Sequence, residues 1–271
     1  MFLMLMAIAW LPIAGLLLLT IPNANTANIV AMVVLFFGFL GWVNLWGQRV
    51  HHTSRSFQRY GLVWNGRGIQ VTLLGLAIGI VSLSLLVVVE SWLGWLTLDF
   101  SVLPGGVVAS GLLVGLGVGF AEELFFRGWL LDELQRDYSA AKCLWVNSII
   151  FAVLHFLKPL SEVIRTAPAF PGLVLLGITL VWVKWVSSAW DPRSPNGYLG
   201  FPVGLHAVLV WTSYMLYVGN VVKMRDAVPT WITGIDNNPL AGLMGFSFLA
   251  VLAWFIRGRS HPPKRLPQSA P

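Results

Sequence analysis

Eight stretches of the sequence are apolar for long enough to cross a bilayer, and they leave little of the chain for anything else. A spanning helix needs about 20 predominantly apolar residues. Windows of that kind fall at 2–21, 28–47, 70–89, 103–121, 144–158, 171–187, 203–219 and 240–256, the last four, the fifth and sixth among them, being shorter. Composition agrees: 57% of residues are hydrophobic and 10% charged, with a mean hydropathy of +0.77, which excludes an ordinary soluble domain. The expected fold class is all-α, a polytopic transmembrane bundle of about eight helices. No Gly/Ser linker, charged run or internal repeat divides it.

The polar segments set the organisation. N-terminal transmembrane helices fill 1–100, with one long polar connection at 48–68, expected on the cytoplasmic side; a core follows over 103–219, then a last loop and helix over 220–256. The basic, proline-rich tail "RGRSHPPKRLPQSAP", 257–271, is expected to be disordered. The first segment lacks a basic n-region and its apolar run exceeds that of a signal peptide, so it reads as a retained helix. With the N-terminus inside, the cytoplasmic segments hold Arg49, Arg55, Arg59, Arg67, Arg136, Lys142, Lys184, Arg193, Arg257, Arg259, Lys264 and Arg265. The other side receives only Lys158, Arg165, Lys223 and Arg225. Basic residues gather on the cytoplasmic side, so both termini are expected there. The net charge of +6 then reflects topology and contact with membrane lipid rather than nucleic-acid binding. Tryptophans such as Trp42, Trp46, Trp92 and Trp95 fall near helix ends, as interfacial anchors do.

Against this background "GFAEELFFRGW", 119–129, is anomalous. Three charges at the bilayer centre would cost about 7–10 kcal/mol if unpaired and facing lipid. On a helix Glu123 and Arg127 stand one turn apart in the favourable acid-then-base order, which suits a structural pair. Glu122 is turned by about 100° from Glu123 and is left without a match. The competing view is that the group lies solvated at a helix end. Glu122 follows about one bilayer-core length of uncharged residues, and intramembrane ionisable residues are functional by default. A poorly solvated glutamate is also the kind of group that can act as a general base.

Two histidines occupy other apolar windows. "NSIIFAVLHF" sets Asn147, Phe151 and His155 at successive one-turn steps, on one helix face. "PVGLHAVLVWTS" places His206 one turn after Pro202. Either histidine alone could be an interhelical hydrogen-bonder. Together with Glu122 they form a three-helix constellation, expected to converge within water-bridged reach.

Other chemistries fit less well. Cys143 is the sole cysteine, so an internal disulfide and a cysteine metal cluster are excluded. Along a continuous helix it would stand about 18 Å from His155, too far for a dyad. There is no H-E-x-x-H; His51 and His52 sit in a basic loop, and "GFSF" at 245–248 lacks the second glycine of a serine elbow. Glu122, His155 and His206 could ligate zinc, which ranks below metal-free catalysis. A transporter would also use intramembrane Glu and His, but paired broken helices or repeats are not evident.

E-E-L-F-F-R at 122–127, F-A-V-L-H at 151–155 and His206 on a later helix resemble the CAAX protease and bacteriocin-processing family of intramembrane endopeptidases. Its E-E-x-x-x-R and F-x-x-x-H motifs are matched in full and in order, and the resemblance spans roughly 103–219. It implies hydrolysis of a peptide bond in a peptide or protein that reaches the bilayer, without a cofactor. It further implies that Glu122 and His155 activate water, that His206 stabilises the oxyanion, and that Glu123 and Arg127 support the motif helix. The family's last motif is H-x-x-x-N or H-x-x-x-D; here Val210 takes the polar position, with Thr212 and Ser213 the nearest hydroxyls. A lost oxyanion donor typically costs about 10²–10³ in turnover. A non-catalytic scaffold or immunity-type member is therefore the alternative. The sequence leaves substrate and oligomeric state open.

Overall fold

The computed structural model describes residues 1–99, 104–191, 194–219, 221–225 and 228–262. Helices dominate, and among the described residues five are long and apolar enough to span a membrane. The chain forms two compact units, divided between Arg59 and Tyr60 inside the polar connection.

The first unit is a helical hairpin, α1 (Phe2–Thr20) and α2 (Ala24–Arg49), followed by a single turn, α3 (Ser56–Arg59). Asn23 starts α2 by accepting a hydrogen bond from the Thr26 amide at 3.0 Å, which satisfies one of the donors a helix start leaves open. Phe2 packs edge-on against Phe39 and Trp46, closing the hairpin's open end. Most other large side chains of the pair face outward, as on a helix solvated by lipid tails.

The second unit begins with α4 (Gly66–Trp92), capped by Asn65, whose side chain accepts from the Gly68 amide at 2.7 Å. A long helix of 33 residues, Gly105–Asp137, comes next. It comprises α5 (Gly105–Glu123), a π-helical segment (Leu124–Leu130) and α6 (Leu131–Asp137). Then follow α7 (Ala140–Leu154), α8 (Leu160–Thr166), α9 (Phe170–Ser188), α10 (Gly200–Val218), α11 (Thr230–Thr233) and α12 (Leu243–Arg257). Short strands β1 (Leu96–Leu98) and β2 (Val222–Met224) pair antiparallel, with Thr97 opposite Lys223, and tie the end of α4 to the end of α10. Each of the eight expected windows contains a helix, the shorter ones being α7 and α12.

Small residues decide how these helices pack. Lipid tails are as apolar as leucine, so close backbone approach takes the place of a hydrophobic driving force. On α5, Gly111, Gly115 and Gly119 form a stripe against α10: a methyl on Gly115 would stand 2.5 Å from the Ala207 carbonyl oxygen. On the other side of α10, Gly204 would bring a methyl to 2.2 Å from the Thr72 carbonyl oxygen of α4. Helix α10 is therefore gripped on both sides by backbone, and its first half, through Val208, is buried.

Where it is described, the connection into α10 pairs its buried polar groups. Tyr198 donates its hydroxyl to Asp191 at 2.6 Å, and its amide donates to the Ser187 hydroxyl at 2.7 Å. Gly197 sits at φ +79°, against the Lys184 carbonyl oxygen, where a side chain would be both strained and crowded.

Lys184, counted with the basic residues of the polar segments, is 1% exposed within α9, and its ammonium donates to a backbone carbonyl of the motif helix. Arg193, Lys264, Arg265 and the tail beyond Pro262 lie outside the described residues.

Candidate active site

The π-helical segment begins directly after Glu123 and carries the sequence LFFRGWL. A π-turn adds a residue without adding a turn, so it widens the helix and changes the direction of its carbonyls. At its end the Leu131 amide donates to the Phe126 carbonyl, five residues back. Two side chains from other helices meet carbonyls of the same stretch. Asn147 on α7 donates to the Phe126 oxygen at 2.7 Å, and Lys184 on α9 donates to the Arg127 oxygen at 2.5 Å. Rings fill the remaining space: Phe126 stands edge-on to Phe151, with centroids 5.0 Å apart.

Glu123 and Arg127 are both wholly buried and form an ion pair at 3.0 Å. Removing both charges from water carries a penalty of several kcal/mol per ion, which only good geometry and further hydrogen bonds offset. Arg127 has both. Its second terminal nitrogen donates to the Gly177 carbonyl at 3.1 Å, and its guanidinium lies over the Phe151 ring at 4.4 Å. Phe151 and Asn147, the face read from one-turn spacing on α7, thus serve the motif helix directly.

The same oxygen of Glu123 that meets Arg127 also lies 2.8 Å from Nδ1 of His206. A carboxylate can only accept, so Nδ1 carries the proton and Nε2 is turned to the far side of the ring. His155 follows the same logic by another route. It caps α7, and its Nδ1 lies 2.8 Å from the Phe151 carbonyl oxygen, again an acceptor only. Both Nε2 atoms consequently face Glu122: His155 at 3.7 Å and His206 at 3.9 Å, from one oxygen, Oε2. These separations exceed a direct hydrogen bond, and Oε2 itself is closed to solvent with no hydrogen-bond partner, so the three atoms meet in a tight, buried corner that must widen to admit a water.

Exposure is graded across the three. The side chains of Glu122 and His155 are each 31% exposed, and that of His206 is 6% exposed. Access is therefore from the α7 end, with His206 forming the back wall. Val210 lies one turn beyond His206 and is half-buried. Neither nearby hydroxyl takes its place: Ser213 donates to the Leu209 carbonyl of its own helix, and it lines with Thr212 an apolar cavity of about 70 Å³ against Gly79 of α4 and Leu249 of α12.

The other residues weighed in the sequence each have partners of their own. Cys143 is buried against Leu131 and Trp185. His51 accepts from the Trp46 indole in the first unit. Ser247 is bonded to its own helix. Among the described residues, no group of three or more His, Cys, Asp and Glu side chains is arranged as a metal site.

Sequence reasoning missed two parts of this centre. The π-segment has no signature in composition, because it differs from an α-helix only in which amide reaches which carbonyl. Lys184 did have one: it lies inside the 171–187 window, and an ionisable residue there asks for a partner by the same rule that singled out Glu122.

Residues 104–212 match the family described as Rce1-like, type II CAAX prenyl endopeptidase. The match runs from the start of α5 into α10 and contains Glu122, Glu123, Arg127, His155 and His206. No curated protein and no solved structure matches the chain.

Proposed function

From the CAAX endopeptidase family to which residues 104–212 belong, we propose that this integral membrane protein hydrolyses a peptide bond in a substrate held at the bilayer. The observation that carries the reading is the convergence of two imidazole Nε2 atoms on one carboxylate oxygen of Glu122. With both Nδ1 protons committed elsewhere, the three facing atoms are all acceptors when the rings are neutral. When the corner widens to admit a water, Glu122 with His155 takes one of its protons as the water oxygen bonds to the scissile carbonyl carbon, and that proton passes to the departing amine as the C–N bond breaks. His206, held by Glu123 through Nδ1, offers Nε2–H to the developing oxyanion when it has taken a second proton from solvent before the attack, the water's own proton going to Glu122 and His155. Glu123 and Arg127 keep the helix in register beneath them.

The substrate is a membrane-associated peptide or protein, of the prenylated or leader type. Membrane lipid is the other partner; nucleic acid is not one. Both termini, and the open side of the site, face the cytoplasm. The chemistry needs no cofactor, zinc being the lesser alternative. Val210 favours one second reading, a non-catalytic member that binds what relatives cleave.

Peptide termini in membranes from cells carrying the protein or Glu122→Gln test the proposal. The substitution nearly preserves shape and removes the base. Termini that vanish with Glu122→Gln establish proteolysis and identify the substrate. Identical termini at equal protein levels overturn it in favour of the binding role.

A further inference from the structure

A buried lysine that the proposed reaction does not use stands beneath the motif helix. Lys184 is 1% exposed, and its ammonium donates to the Arg127 carbonyl oxygen at 2.5 Å. Two helical turns earlier on the same face of α9, the Gly177 carbonyl accepts from the Arg127 guanidinium at 3.1 Å. The two bonds are reciprocal. Side chain of the motif helix meets backbone of α9, and side chain of α9 meets backbone of the motif helix.

Both bonds fall within the π-segment, and this is where they have most effect. A carbonyl displaced by a π-turn takes a second donor more readily than one closed into an α-ladder. Asn147 performs the equivalent service from α7 at the neighbouring Phe126 carbonyl, 2.7 Å away. The segment is thus held from two helices at two successive carbonyls. Glu123 immediately precedes it and Glu122 comes one residue earlier, so the phase of the π-turn sets the direction of both carboxylates. Gly177 itself lies where a methyl would come 2.9 Å from Ser148 of α7, which keeps α9 close enough for the lysine to reach.

We infer that Lys184 is a positioning residue: its bond to the Arg127 carbonyl holds the π-turn that aims Glu122 at His155 and His206. The inference rests on the peptidase reading for its kinetic consequence, but its structural consequence can be measured independently.

The test uses the full chain with Lys184→Met, which keeps length and removes the donor, and Lys184→Gln, which restores one. On the peptide identified through the Glu122→Gln comparison, Lys184→Met is expected to lower kcat by about 10–100-fold, the effect of an ångström-scale misplacement, with KM nearly unchanged. Lys184→Gln recovers most of it. In ¹⁵N-histidine spectra the Nδ1 proton of His206, bonded to Glu123, shifts in the Met variant and returns in the Gln variant. Unaltered kcat and unaltered histidine signals overturn the inference. So does equal loss in both variants in step with a lowered melting temperature, which would mark plain packing. If Lys184→Met does not fold, Lys184→Gln alone decides: retained signals and kcat support the donor role, and loss of both refutes it. If Glu122→Gln still cleaves, the peptidase reading fails while the histidine spectra still judge Lys184.

Discussion

His206 and Glu123 are 83 residues apart in the chain and share a 2.8 Å hydrogen bond in the middle of the bundle. That bond fixes which ring nitrogen faces Glu122, and the carboxylate that makes it is itself held by Arg127. Position at the site is therefore transmitted through a buried ion pair.

The pair should behave as buried pairs do. Glu123→Met leaves the Arg127 guanidinium without its counter-ion and is expected to destabilise the protein by about 3–5 kcal/mol, whereas the double substitution Glu123→Met with Arg127→Met costs less than the sum of the two singles. A double-mutant cycle from unfolding in detergent measures the difference. Additive losses would mean that the two side chains do not interact.

Helix α5 offers an internal comparison. A methyl at Gly115 would meet the Ala207 carbonyl oxygen at 2.5 Å, while one at Gly117 meets nothing within 4 Å. Gly115→Leu should push α5 off α10 and cost about 1–3 kcal/mol or more. Gly117→Ala should be neutral or stabilising by about 1 kcal/mol, as expected for alanine in a helix. Melting temperatures of the two variants check this.

Val210→Asn places an amide one turn after His206, at the position that the family fills with Asn or Asp. Turnover of the identified peptide is expected to rise by about 10-fold or more, since one oxyanion donor is typically worth 10²–10³. An unchanged or lower kcat would show that this chain supplies the donor elsewhere.

Dialysis against a chelator should leave cleavage at its initial rate. A loss that zinc restores would assign the two Nε2 atoms and Glu122 to a metal, in place of a glutamate-activated water.

Much of this was legible because hydropathy is a strong signal in lipid. Every expected window holds a helix, since an apolar backbone in a bilayer has no other way to satisfy its polar groups within one segment. The one-turn spacings of Glu123 with Arg127 and of Asn147, Phe151 and His155 also translated directly into shared faces. Partners across helices did not. Nothing in the sequence says that His206 chooses Glu123 for Nδ1 or that Gly177 supplies a carbonyl to Arg127, because both depend on how far glycine stripes let helices approach. Lys184 reads only as a mark of topology, for a related reason: near the end of an apolar window nothing in the sequence shows that a basic residue also makes a buried bond.

The π-segment turns alignment at the site into a matter of counting. Removing one residue after Arg127, from Gly128 to Leu130, would return the stretch toward an ordinary α-helix while leaving the E-E-x-x-x-R spacing intact. Everything before the deletion would then rotate by about 100° relative to α6. Glu122 and Glu123 would remain in the sequence, adjacent and intact, yet face away from both histidines. A homologous chain could thus keep every motif letter and lose the centre by a single gap.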